Sequence, residues 1–194
     1  FPWYSADEPI LWWSPDPRMV LFPEEFAPKR SLAKALRHKD YEARRDTAAA
    51  EAVAACATAP REGQAATWIT AEMQAAYRRL HELGHAHSVE TWIAGKLAGG
   101  LYGIAIGRAF YGESMFARAT DASKIALAHL CVYLRRRGFG IIDCQMETAH
   151  LASLGARTIP RRDFVARLAA LTADGDAPGR WPADAVRDAY RRAA

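Results

Sequence analysis

The chain has 194 residues, 51% of them hydrophobic and 25% charged, which supports one folded domain with a full core and excludes bulk disorder and collagen-like or disulfide-stapled classes. A net charge of +4 leans mildly towards polyanionic partners. Three widely spaced cysteines (Cys56, Cys131, Cys144) suit a reducing cytosol, and neither a secretory leader nor an apolar run of membrane length is visible.

The chain starts at Phe1 rather than Met, so an upstream piece is expected to be missing from it. Residues 1–17, FPWYSADEPILWWSPDP, hold four prolines and three tryptophans, which forbids a long helix and leaves core anchors or a stacking surface. RMVLFP reads as a short strand, and RSLAKALRHK and TAAAEAVAACATA as helices, with Pro60 and Gly63 marking the loop that follows. From Thr70, a good N-cap, Met73, Ala76, Tyr77 and Leu80 form one helical face. Three strand-like runs come next: HSVETWI, KLAGGLYGIAIG and RAFYGESMFAR. In the middle run Leu101, Gly103, Ala105 and Gly107 share a nearly side-chain-free face, which a helix or a ligand would approach, core packing being the plainer reason. Strict alternation in the third run pairs Glu113 with Met115 on one face and Ser114 with Phe116 on the other.

Asp121 or Ser123 can cap the next helix, which buries Leu127, Leu130, Cys131 and Leu134, ends in Arg135, Arg136 and Arg137, and stops at Gly138. FGIIDCQ is a short strand with a polar end, followed by helical segments at AHLASLG and RDFVARLAALT. Strand, helices, an antiparallel meander, helix, strand and helix together predict an α/β (α+β), acyltransferase-like fold.

His81-Glu82-Leu83-Gly84-His85 has the H-E-x-x-H spacing of zinc proteases. A third ligand does not follow: Ser88 and Thr91 occupy the positions where Gly and His are needed, and Glu90 and Glu113 fall in strands. The better reading is a helix ending on a C′ glycine at Gly84, with no metal bound. In IIDCQ, Asp143 and Gln145 share one face, where a carboxylate and an amide could align a nucleophile or take its proton, unless they only cap the strand. Cys144, on the other face with Ile142, reads as a buried thiol. No phosphate-binding glycine loop is present.

FPWYSADEPILWWSPDPR, HELGHAHSVETW, GGLYGIAIGRAFYGESMFAR, DASKIAL, IIDCQ and SLGARTIPRRDF, in that order from Phe1 to about Phe164, resemble the leucyl/phenylalanyl-tRNA–protein transferase family. The resemblance implies an acetyltransferase-like (GNAT) domain at 17–194, a mixed sheet flanked by helices, after a remnant of a small N-terminal domain at 1–16. It implies transfer of Leu or Phe from aminoacyl-tRNA to the N-terminal α-amine of proteins starting with Arg or Lys, which creates a degradation signal. It also implies no cofactor, a cytoplasmic location, no membrane and a monomer.

By the same resemblance Asp143 and Gln145 orient the attacking amine or relay its proton, and Trp3 and Trp68 stack on the terminal adenosine. Glu113 lies near the aminoacyl group. Met115 and Ile142 line its side-chain pocket, and Tyr77 belongs to the same substrate site; plain core packing remains open for these three. Arg30, Lys34 and Arg37, at i, i+4 and i+7 of one helix face, match a basic cluster that contacts the tRNA. Two alternatives remain. A CoA-dependent N-acetyltransferase would want glycines in a pyrophosphate loop, where this chain reads RATDAS. A non-catalytic RNA-binding module would bind charged tRNA without transfer. A related transferase acting on acidic N-termini fits the motifs less well.

Overall fold

The computed structural model describes residues 1–3, 9–60, 68–173, 175, 179–182 and 190; the side chain of Trp3 and the loop glycine Gly63 lie outside it. In chain order the elements are β1 (Pro2–Trp3), β2 (Leu11–Trp12), β3 (Arg18–Leu21), α1 (Arg30–His38), β4 (Glu42–Arg45), α2 (Ala49–Thr58) and α3 (Ala71–Glu82). Then follow β5 (Ala86–Ile93), β6 (Lys96–Ile106), β7 (Ala109–Ala117), α4 (Ala122–Arg136), β8 (Ile141–Gln145), α5 (Ala149–Ser153), β9 (Arg157–Ile159) and α6 (Arg161–Thr172). β1 and β2 form a small hairpin of their own.

The other seven strands make one sheet in the order β4–β5–β6–β7–β8–β3–β9, antiparallel throughout except for β7 and β8. This is the α/β class with a mixed sheet flanked by helices, compatible with the acetyltransferase-like expectation.

The sequence builds this sandwich by alternation. Met19 and Leu21 face the layer of α1 and α4, together with Leu101, Phe110 and Ile142. Their neighbours Val20, Ala109 and Ile141 face α6 and Phe164, while Tyr102 and Phe116 pack under α2 and α3. Strands covered on both faces read as continuous apolar runs, which is why RMVL and II carry so few polar residues. α4 buries Leu127, Leu130, Cys131 and Leu134 as expected, and almost everything else from Ala122 to Leu134 as well. The glycine face of β6 answers to packing: a Cβ on Gly99 would lie 2.5 Å from the Ala122 Cβ of α4, and one on Gly103 would strike the Phe110 ring and the Tyr111 carbonyl.

Four strands were not anticipated: β4, β9 and the β1–β2 pair. β4 and β9 are the sheet edges, short and charged (EARR and RTI). Edge strands need no apolar alternation and are protected from further pairing by their charges, so their sequences resemble loops. α3 ends as anticipated, with Thr70 accepting from the Met73 N–H at its start and Gly84 at φ +80° just past its end.

Candidate active site

β7 and β8 pair in parallel only from Ala109/Ile141 to Tyr111/Asp143. Beyond that point β7 continues to Ala117 while β8 stops at Gln145, so the strands part and leave an opening in the sheet. A bulge flanks the opening on each side. Against β6, residues Gly112 to Ser114 of β7 span a single step, Gly103 to Tyr102, which makes Glu113 the extra residue. Against β3, residues Asp143 to Gln145 span the single step Val20 to Met19, which makes Cys144 the extra one. Bulges of this kind bend a strand and re-aim its side chains.

The first bulge corrects the alternation expected for β7. Phe110 and Met115 are an odd number of residues apart, yet both lie in the α4 layer, while Phe116 lies in the α3 layer. Glu113 does not follow Met115. It lines cavities on both faces of the sheet and accepts a hydrogen bond from the Tyr77 hydroxyl on α3.

On the α4 side of the opening is a cavity of about 120 Å³, walled by Leu101, Phe110, Met115, Leu127, Leu130 and Ile142. It is far smaller than the roughly 300–1,000 Å³ of sites for drug-sized ligands, and suits one apolar side chain. On the α3 side is a cleft of about 470 Å³, walled by Met73, Tyr77 and Leu80 of α3, Tyr111 of β7 and Ile10 and Trp12 of the hairpin. Glu113, Asp143 and Gln145 line both spaces, so the three polar groups sit where the two meet.

Asp143 is 1% exposed and held by Arg18, itself 4% exposed. Arg18 donates from Nε to Asp143 Oδ1 at 2.8 Å and from Nη2 to Oδ2 at 2.6 Å, a bidentate pair. Oδ1 also accepts the Gln145 backbone N–H at 3.0 Å. Gln145 has a left-handed backbone, φ +60°, and its Nε2 donates to the Gly112 carbonyl at 2.7 Å, across the opening from β8 to β7. Burial raises the Glu113 carboxyl to about 7, with the Asp143 charge adding and the Tyr77 hydroxyl opposing. Burial likewise pushes the Cys144 thiol up to about 12, which leaves it inert as a nucleophile.

The structure therefore brings together Tyr77, Glu113, Met115, Ile142, Asp143 and Gln145. Trp68 is half-buried beside α3, edge-on to Tyr77 with ring centroids 6.5 Å apart, behind the cleft wall rather than in it. Trp3 lies in β1, and its side chain is outside the described part. Arg30, Lys34 and Arg37 lie exposed on α1, whose Leu32 and Leu36 dock into the core, so the basic stripe belongs to the α4 layer and not to the cleft.

Sequence reasoning missed Arg18, Tyr111, Ile10 and Trp12. An Arg opening the apolar run RMVL was the one available sign, because a charge inside a buried strand requires a partner. The H-E-x-x-H histidines are separated by the helix end: His81 is on α3 and bonds the Ala86 carbonyl through Nδ1, whereas His85 lies beyond Gly84. Among the described residues no group of three or more His, Cys, Asp or Glu is arranged to hold a metal, and no helix is long and apolar enough to cross a membrane.

Residues 20–169 match the family model for the leucyl/phenylalanyl-tRNA protein transferase, and residues 1–16 match the model for that protein's N-terminal domain. The chain is similar to the leucyl/phenylalanyl-tRNA–protein transferase of Aromatoleum aromaticum, 58% identical over 191 residues that cover 98% of this chain and 80% of the relative. It is 65% identical to the Nitrosomonas europaea protein of the same name over 173 residues, 89% of this chain and 73% of the relative. The Thiobacillus denitrificans protein of that name is 61% identical over 184 residues, 95% and 80% of the two chains.

Proposed function

The chain belongs to the leucyl/phenylalanyl-tRNA–protein transferase family of aminoacyltransferases, and on that premise we propose that it moves Leu or Phe from aminoacyl-tRNA to the N-terminal α-amine of proteins that begin with Arg or Lys. The product is a protein with a new N-terminal Leu or Phe, a degradation signal. The observation that favours this reading is a cavity the size of one side chain meeting a nucleoside-sized cleft at three polar residues. Residues 17–194 act as the transferase domain, and residues 1–16 belong to the N-terminal domain. The protein works in the cytoplasm as a monomer without a cofactor.

In this reaction the Leu or Phe side chain enters the cavity between Met115 and Ile142. The terminal adenosine occupies the cleft near Tyr77, with Trp3 stacking on it and Trp68 supporting Tyr77 from behind the cleft wall. The acceptor amine forms the new C–N bond at the ester carbonyl, the C–O bond to the ribose breaks, and the ribose oxygen leaves with a proton. The ester is already activated, so alignment can supply much of the acceleration. Gln145 aligns the amine, Asp143 fixes Gln145, and Glu113, poised to exchange protons near neutrality, takes the proton the amine releases. Arg30, Lys34 and Arg37 contact the phosphates of the tRNA body.

A CoA-dependent acetyltransferase is disfavoured by the start of α4. There Asp121, paired with Lys124 at 3.0 Å, puts a carboxylate where a pyrophosphate would need to approach. The test is to incubate the protein with Leu-tRNA or Phe-tRNA and peptides beginning with Arg, Lys, Asp or Ala. The expected result is one added residue on the Arg and Lys peptides alone. Binding of charged tRNA without any transfer would favour an RNA-binding module and overturn the proposal.

A further inference from the structure

Every oxygen of the Asp143 carboxylate is engaged: Oδ1 by Arg18 Nε and the Gln145 N–H, Oδ2 by Arg18 Nη2. A carboxylate held this way is an anchor. What it holds is the left-handed backbone of Gln145, a conformation that costs a non-glycine residue and persists only where its surroundings over-determine it. That backbone in turn sends the Gln145 amide across the opening to Gly112.

Arg18 stands at the head of this chain of contacts. Its guanidinium is flanked by the Phe164 ring at 4.9 Å and the Phe1 ring at 5.3 Å, which fix its plane. Its remaining nitrogen, Nη1, is buried with no hydrogen-bond partner among the described residues.

We propose that Arg18 is a positioning residue of the transfer reaction, pinning Asp143 and through it the amide of Gln145 at the junction of cavity and cleft. The proposal rests on the transferase reading above. Lysine cannot replace Arg18, because a point charge cannot grip both carboxylate oxygens in one plane.

The experiment uses the full chain and measures kcat, KM and Leu-tRNA affinity for Arg18→Lys, Arg18→Ala, Gln145→Ala and the Arg18→Lys/Gln145→Ala double variant. Arg18→Lys is expected to lower kcat on the order of 10²-fold, the cost of misplacing a reacting group by about 1 Å. Leu-tRNA affinity should stay within about twofold, since phosphate contacts dominate it. The double variant should transfer no more slowly than Gln145→Ala, because residues that act as one unit are not additive. Methylguanidinium should restore part of the kcat of Arg18→Ala.

Multiplying losses in the double variant would overturn the proposal, and so would a wild-type kcat in Arg18→Lys. If Arg18→Ala does not fold, Arg18→Lys and the double variant decide the matter alone. A wild-type protein that transfers nothing in the same assay would overturn the transferase reading instead.

Discussion

Replacing Glu113 with Gln separates the charge of this carboxyl from its shape. Burial at the bulge raises the group from 4.5 to about 7 in the folded chain. At about 1.4 kcal/mol per pH unit this corresponds to roughly 3 kcal/mol, an upper bound because part of the side chain meets solvent in the cleft. The sign follows from proton uptake. Below pH 4.5 the carboxyl is protonated in both folded and unfolded chains and contributes nothing. Between 4.5 and 7 the folded chain holds the proton that the unfolded chain has released, so stability falls as pH rises. Above 7 the full penalty of a buried charge remains.

Glu113→Gln should therefore match wild type in urea denaturation at pH 4 and exceed it by up to about 3 kcal/mol at pH 8. Transfer should move the other way. The variant should lose the arm of the pH–rate profile centred near 7 and keep the arm near 8 that belongs to the free peptide amine. An equal stability difference at both pH values would refute the burial argument. An unchanged pH–rate profile would refute the role of Glu113 as proton acceptor.

Asp143→Ala should slow transfer on the order of 10²-fold or more while leaving Leu-tRNA affinity nearly intact; it should also destabilise the fold by about 3–5 kcal/mol, since it strands a buried Arg18. Both are read from single-turnover kinetics, filter binding and urea denaturation. Neutralising Arg30, Lys34 and Arg37 together should weaken Leu-tRNA and Phe-tRNA alike and flatten the salt dependence of binding by very roughly one counterion per lost contact, with a minimal aminoacyl-adenosine donor unaffected. Gly99→Ala should lower stability by about 1–3 kcal/mol, because its Cβ would have to displace α4 at Ala122; a melting curve checks it.

The elements that were legible in the sequence are those with a strong period and clear ends. α3 shows its Thr70 cap and Gly84 stop, α4 its leucine stripe and closing arginines, and β8 its apolar start and polar finish. Asp143 and Ile142 could be placed because β8 obeys alternation as far as Asp143, whereas Gln145 reaches the opening through the Cys144 bulge and its own left-handed backbone. Alternation put Glu113 and Met115 on one face, but a one-residue bulge reverses facing between them, and the one hint of it in GESM is Gly112. The partner of Arg18 could not be read for a different reason: it is 125 residues away, and only the pairing of β3 with β8 brings the two together. The cleft wall of Ile10 and Trp12 depends on the hairpin packing beside α3, a tertiary fact that no window of sequence encodes.

The opening between β7 and β8 also has a handedness. On the proposed function, a side chain on the α4 face and a nucleoside on the α3 face would assign opposite directions to two substituents of the same tetrahedral carbon. The amino group and the hydrogen must then share what remains, and Glu113, at the junction of cavity and cleft, would favour the donor's amine on one side only. A mirror-image donor would have to exchange them, turning its amine away from Glu113 or driving its side chain out of the Met115–Ile142 cavity. On that reading the sheet itself would discriminate against D-leucyl esters.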